Sequence, residues 1–250
     1  IITAPGLWHL DNFGNKLIAT IVDGTTFEWD SDATGATSTR ATAISGCPTA
    51  TRQTLVSTPD RHLICFGTET TIGTTTTQDD MYIRWSDQES LTSWTPTATN
   101  TSGTQRLADG TRIMGAVRGR DAIYVWTDHA LFIMKFVGAP FTFSFQQVGT
   151  GCGLIGKNAA VEVDGSAYWM SENGFFRYTG KLESLQCLVE DYVYDDINTV
   201  PRNHIFAGLN NLFGEVTWFY PGSGSSSNNR SVTYNYMDST SQRPVWTTSS

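Results

Sequence analysis

Apolar and polar positions alternate in short runs along this chain, and the runs come in pairs separated by turn residues. The clearest pair is Tyr124-Val-Trp-Thr-Asp-His-Ala-Leu-Phe132, which recurs as Tyr168-Trp-Met-Ser-Glu-Asn-Gly-Phe-Phe176 at a constant offset of 44 positions. Each copy reads as an aromatic strand, a tight turn and a second apolar strand. The turns are Thr127-Asp-His-Ala130 and Ser171-Glu-Asn-Gly174. Asp, Asn and Gly tolerate positive φ, and Gly174 stands where a Cβ would be strained. A repeat in the forties built of strands is the spacing of one four-stranded blade per repeat.

The same hairpin logic runs through the rest of the chain. Leu7-Trp-His-Leu10 and Leu17–Val22 flank the turn Asn12-Phe-Gly-Asn15, and Asp23-Gly24 leads into Thr26-Phe-Glu-Trp29. Trp8 reads as a strand-core aromatic rather than a ligand platform. Residues 31–53 are small and polar, as in a linker or surface loop. Strand pattern resumes at Thr54, turns at Pro59-Asp60 and continues through His62–Phe66. The Thr-rich stretch Thr68–Asp80 offers little to bury and is expected to protrude, and Met81–Trp85 is again a strand. Phe141-Thr-Phe-Ser-Phe145 has period two, which predicts its phenylalanines on one side.

Leu185–Asn198 is the best helix candidate, with Val189, Tyr192, Val193 and Ile197 at helical spacing and Pro201 beyond. Its carboxylates Glu190, Asp191, Asp195 and Asp196 read as a solvated face. Further strands are expected at His204–Ala207, Glu215–Tyr220, Val232–Tyr236 and Val245–Trp246, with Pro221–Asn229 as a flexible loop. The predicted architecture is all-β, a β-propeller over residues 1–250 with four or five blade-like antiparallel sheets and one short helical insertion near 185–198. The N-terminal strands are expected to join a blade completed by residues beyond position 250. The start, Ile1-Ile-Thr-Ala-Pro5, has neither an initiating Met nor a signal pattern and reads as an excised segment of a longer polypeptide.

Composition adds exclusions. A formal charge of −8 over 250 residues argues against a general nucleic-acid-binding surface, which needs clustered Lys and Arg. Cys47, Cys65, Cys152 and Cys187 show no CxxC spacing, so buried free thiols are expected, with no metal and no cofactor. No apolar run approaches the roughly 18 residues of a membrane span.

Candidate chemistry is sparse. Gly151-Cys-Gly-Leu-Ile-Gly156 matches the dinucleotide-binding string, but a strand follows where a helix N-terminus is needed, so the glycines read as a tight crossing between blades. His9, His62, His129 and His204 stand in turns or strand starts without a nucleophile motif. Glu162, Asp164 and Glu172 are candidates for a glycoside-hydrolysing pair, although spacing alone does not select among them. Ser86–Trp94 looks faintly like the Asp-box turn of sialidase propellers, with the Asp one place early and the Gly missing. Asn100-Thr-Ser102 and Asn229-Arg-Ser231 fit glycosylation acceptors and mark polar loops. No catalytic residues are assigned.

Several strings together resemble a family of bacteriophage tail structural proteins. They are Ile83–Glu89 with Trp94–Asn100, Tyr124–Asp128, Gly156–Gly165 with Tyr168–Met170, and Glu215–Pro221. The family is that of β-propeller-containing nozzle, hub or stabilisation proteins at the portal vertex of short-tailed phages. The resemblance implies a virion tail protein and not an enzyme. It implies a ring of identical subunits, six in number, that extends the portal–adaptor channel and carries tailspikes or fibres. DNA would pass through without sequence-specific binding, and no membrane anchor is implied. Such subunits carry further domains beside the propeller, which this chain does not match in length. Two alternatives stand beside this reading: a carbohydrate- or receptor-binding propeller, and a glycan-cleaving propeller.

Overall fold

The computed structural model describes residues 7–58 and 60–250, so the expectations for Ile1–Pro5 and for Pro59 lie outside the described residues. The chain is nearly all β and of the β-propeller class, built as five successive four-stranded antiparallel meanders. The first sheet holds β1 (Trp8–Phe13), β2 (Lys16–Ile21), β3 (Thr26–Asp30) and β4 (Thr42–Ala43). The second holds β5 (Thr51–Val56), β6 (Leu63–Thr68), β7 (Tyr82–Trp85) and β8 (Gly103–Arg106). The third holds β9 (Ile113–Arg118), β10 (Ile123–Thr127), β11 (Ala130–Gly138) and β12 (Thr142–Thr150). The fourth holds β13 (Ala160–Val163), β14 (Ser166–Ser171), β15 (Gly174–Tyr178) and β16 (Leu182–Leu185). The fifth holds β17 (Phe206–Asn210), β18 (Glu215–Tyr220), β19 (Arg230–Thr240) and β20 (Arg243–Ser249).

The 44-residue repeat is a sheet-to-sheet equivalence. Tyr124 lies on β10 and Tyr168 on β14, the second strands of their sheets, and the repeated turns join second strand to third. In the first turn the Thr127 hydroxyl accepts the amides of His129 and Ala130 at 3.1 and 2.8 Å, which holds the chain in its reversal. In the second, Gly174 takes φ +127°, a value L side chains rarely adopt.

Two compact units are distinguishable, one of residues through Ala116 with Lys135–Ser144, the other of Val117–Met134 with Phe145–Ser250. In the first, Phe13, Ile18, Val56, Leu63 and Trp94 build a core that also takes in Ile44 and Cys47. In the second, fully buried Trp126 and Trp169 meet edge to face with centroids 5.4 Å apart. Phe175 packs on Trp218 and on Trp246, each at 4.9 Å. The indole N–H groups of Trp169 and Trp218 donate to the carbonyls of Cys152 and Ala159 at 2.7 and 3.0 Å, so burial leaves neither donor unmet.

Tertiary packing overrides several sequence expectations. Residues 31–53 are more than a loop: they contain β4 and the start of β5, and they contribute Ile44, Cys47 and Ala50 to the interior. With β4 in place, β1–β4 form a four-stranded sheet within the N-terminal stretch. Thr68–Asp80 does not simply protrude. Thr68 ends β6, Glu69 is fully buried and accepts from Thr49 Oγ1 and Gly73 N at 2.5 and 2.7 Å, and Ile72 packs on the core.

The helix is α1 (Glu190–Asp196), shorter than expected because Leu185 is held in β16 opposite Phe175. Val193 is buried as the periodicity predicts, but Tyr192 is 53% exposed. Tyr194 packs instead, its hydroxyl 2.7 and 3.0 Å from the Ser171 and Gly174 carbonyls. Nor is the acidic face wholly solvated, since Asp196 pairs with Arg230 at 2.9 Å. Phe141 precedes β12 and is 77% exposed whereas Phe143 is buried, so these rings do not share a side. The Pro221–Asn229 connector is tied down: the Asn229 side chain accepts from Gly222 N at 2.8 Å, and Asn228 Nδ2 donates to the His204 carbonyl at 2.7 Å. Thr97–Thr104 runs directly into β8 and supplies Thr101 to the cluster described next. Of the four free thiols, Cys47, Cys65 and Cys152 are buried as expected, but Cys187 is partly exposed.

Candidate functional site

Three histidines are dispersed: His9 on β1, His129 in the β10–β11 turn, and His204 bonded through Nδ1 to the Ser226 carbonyl at 2.7 Å. His62 is different. It is fully buried just before β6, beneath Phe143 and Phe136 at centroid distances of 5.2 and 5.8 Å. Its Nδ1 lies 2.7 Å from Asp60 Oδ2, which also accepts the Ser57 hydroxyl at 2.7 Å. Its Nε2 lies 3.1 Å from Thr101 Oγ1. The Thr101 hydroxyl donates to Asp87 Oδ1 at 2.7 Å and accepts the Gln88 amide at 2.9 Å. Sequence reasoning missed this cluster, because Ser57, Asp60, Asp87 and Thr101 come from separate turns.

The order carboxylate, imidazole, hydroxyl is that of a nucleophile triad, but the hydroxyl is already engaged with Asp87 and the ring faces no solvent. Three contacts in series, Asp60–His62, His62–Thr101 and Thr101–Asp87, link the turns through the ring. The arrangement clamps turns together. The faint Asp-box string is structural in the same sense: Asp87 also accepts the Thr101 amide at 2.8 Å, and the Trp94 indole donates to the Leu91 carbonyl at 2.7 Å.

Burial pulls the Asp60 carboxyl upward, but hydrogen bonds from His62, Ser57 and its own amide outweigh it and hold it below the ordinary carboxylate range. Burial likewise acts upward on Asp87, and the Thr101 and Gln88 donors prevail to lower it. Lowered folded values stabilise above the unfolded value and are lost as pH falls through them. Thermal stability is therefore expected to hold from neutral pH down to about 5 and to drop below about 4, where unfolded carboxyls protonate. Melting curves across that range check it; Asp60→Asn should flatten the acid limb, and an unchanged limb would count against the cluster.

The dinucleotide-type string is not followed by a helix. It is a crossing into the fourth sheet, in which Cys152 N and Leu154 N donate to the His129 and Thr127 carbonyls, each at 3.1 Å, and Ile155 N to Met170 at 3.0 Å. A Cβ on Gly153 would fall into the Asp128 carbonyl, and one on Gly156 into that of Arg202.

Of the three candidate carboxylates, Glu162 and Asp164 come together and Glu172 does not. The first two line an open groove of about 420 Å³ with Arg118 and Arg120. Glu162 Oε1 is engaged there, accepting Gly165 N at 2.7 Å. Glu172 pairs elsewhere with Arg202 at 2.8 Å. Among the described residues, no group of three or more His, Cys, Asp or Glu could hold a metal ion, and no helix is long and apolar enough to cross a membrane.

An apolar surface is more distinctive. Antiparallel register puts Trp8, Leu10 and Asn12 of β1 on one face with Ile21, Ala19 and Leu17 of β2. Phe27 and Trp29 of β3 share that face, as does Ala43 of β4. Apart from Asn12 it is wholly apolar, with Trp8 52% and Leu10 67% exposed. The opposite face carries the buried Phe13, Ile18, Thr20 and Thr26. Trp8 thus stands in a strand as expected, but on the open side.

No family model matches the chain, and no curated protein matches it. Among solved structures it is similar to the extracellular domain of BT4673 from B. thetaiotaomicron, at 13% identity and TM-score 0.49, over 84% of this chain and 25% of that one. The chain thus spans about a quarter of that protein's length. It is similar to apo AztD from Citrobacter koseri at 10% identity and TM-score 0.45, over 97% of this chain and 75% of that one. The computationally designed Ika8 protein is similar at 8% identity and TM-score 0.36, over 90% of this chain and 79% of that one. None of these likenesses is close enough to carry an argument.

Proposed function

We propose that this chain is a structural protein of a bacteriophage tail, a nozzle or hub component at the portal vertex. In this reading it assembles as a ring of identical subunits, six in number. Its outside is a platform for portal, adaptor and tailspike or fibre proteins, and DNA leaves through its lumen. The reading rests on the family resemblance of Ile83–Glu89, Tyr124–Asp128, Gly156–Gly165 and Glu215–Pro221.

One observation carries it. The most elaborate polar cluster, around His62, is closed on itself, whereas the first sheet turns a broad apolar face outward. Exposed contiguous apolar surface is the mark of an interaction site. A chain whose open surface is adhesive rather than reactive suits an assembly component. The formal charge of −8 fits a conduit that must release DNA.

A second reading, glycan cleavage, has the shared groove of Glu162 and Asp164 in its favour. The test is gold-labelled antibody imaging of the source particles with an antibody raised to this chain. Label at the single tail vertex is the expected result. Label at fibre tips would move the reading to receptor binding. An absence of label would overturn the virion reading, and hydrolysis of a glycan panel that Glu162→Gln abolishes would establish the second.

A further inference from the structure

Apart from the groove of Glu162 and Asp164, the second unit holds a cleft of about 330 Å³ between the hairpins β15–β16 and β19–β20. Both hairpins lie whole within the described residues. One wall is built across the fourth sheet, where register sets Tyr168 opposite Arg177 and Arg177 opposite Glu183. The Arg177 guanidinium donates to the Tyr168 hydroxyl and, through Nε at 3.2 Å, to Glu183 Oε2. That pairing holds the Glu183 carboxyl below its ordinary range, so at neutral pH both side chains are ionised and cancel.

The facing wall comes from the fifth sheet. Tyr234 is buried against Trp246 at 4.8 Å and reaches the cleft. Beyond it the β19–β20 register shifts between Asn235 and Thr240. The irregularity is pinned by Asn235 Oδ1, which accepts Met237 N and Asp238 N at 3.0 and 2.8 Å. Bulges of this kind re-aim side chains beside binding sites. Here the residues that follow, Ser239, Thr240 and Ser241, line the cleft. Leu185 and Pro244 add an apolar strip. Ser184, Gln186 and Ser241 line it with side chains that bond to no other described residue.

These features select a ligand class. With Arg177 and Glu183 cancelling, a charged ligand finds no spare counter-charge. What remains is hydroxyl and amide groups, donors and acceptors both, beside an apolar strip. Their complement is a neutral molecule dense in hydroxyls that also presents C–H surface. We propose that this cleft binds a neutral saccharide unit. Its volume is at the small end for ligand sites, which fits a terminal sugar rather than a long chain. The walls are strands and a pinned bulge, so the site is largely formed before the ligand arrives. The proposal goes beyond the tail reading and is separate from glycan cleavage, whose carboxylates stand in another groove.

Saturation-transfer NMR and titration calorimetry of the purified chain test it. The probes are methyl glycosides of glucose, galactose, mannose and N-acetylglucosamine, with glucuronic acid and glucose 6-phosphate as charged controls. The expected result is binding of at least one neutral glycoside and of neither control. Gln186→Ala and Ser241→Ala should each weaken that binding about two- to tenfold, the worth of one hydrogen bond. Ser184→Trp, which fills the cleft, should abolish it. All three residues are exposed, so the melting temperature should not move. Failure of every neutral glycoside to bind would overturn the proposal. Binding that ignores all three variants would overturn this cleft as the site, and a preference for the charged controls would overturn the ligand class. Gold labelling judges the tail reading separately.

Discussion

Gly153→Ala should be among the most damaging single substitutions in the chain, at a cost upwards of about 3 kcal/mol. The new Cβ would lie inside the Asp128 carbonyl and 2.5 Å from His129 N. These are backbone atoms of the β10–β11 turn, and that turn is pinned by the Cys152 and Leu154 amides. No side chain can swing aside, so one of the two segments must move and break those bonds. Gly151→Ala is the control. Gly151 has φ +69° and nothing within 4 Å of an added Cβ. Its substitution costs only what a left-handed backbone does, about 1–2 kcal/mol. Urea unfolding followed by tryptophan fluorescence measures both. Equal costs would show that conformation, not close approach, explains the glycines of this crossing.

His62→Ala should cost about 3–5 kcal/mol, the range for truncating a large, fully buried ring. Three losses coincide. The ring leaves a space beneath Phe143 and Phe136, Asp60 loses one of its two partners at 2.7 Å, and Thr101 loses its link to the start of β6. Thr101→Val is the milder comparison, because Asp87 keeps the Thr101 and Gln88 amides at 2.8 and 3.0 Å. About 1–3 kcal/mol is expected there, the cost of leaving a buried polar group short of a partner. A His62→Ala cost below about 1 kcal/mol would mean the cluster is hydrated and not a clamp.

Much of the fold was legible before any coordinates. The period-two runs at Tyr124–Thr127, Tyr168–Ser171 and Glu215–Tyr220 are strands, and Asp23-Gly24 is a hairpin turn. The reason is local: alternation, β-branched side chains and turn residues with positive φ act over a few residues. The crossing at Gly151–Gly156 was legible too, because the run after it reads as a strand, which denies the glycines a helix N-terminus.

The errors lie where a residue's role depends on a distant partner. β4 is only two residues long and exists because Phe27 and Glu28 offer a ladder to Ala43 and Thr42. Leu185 has helical spacing to its neighbours, yet pairing with Phe175 claims it for a strand. Glu69 sits in a Thr-rich stretch with few apolar residues to bury, and its carboxylate is what the loop folds around.

The split at the sites has the same cause. Residue types for chemistry could be named from the sequence, and Glu162 and Asp164 share a groove largely because they are two places apart in the chain. The His62 cluster could not be named, since its members come from three turns that only the second sheet brings within 3.1 Å of one another. Nor could the open face: Trp8 reads as a strand-core aromatic in the sequence, and only the register and packing of β1–β3 show it on an exposed apolar side. Local periodicity determined what each strand offers. Only packing of sheet on sheet decided what each strand keeps.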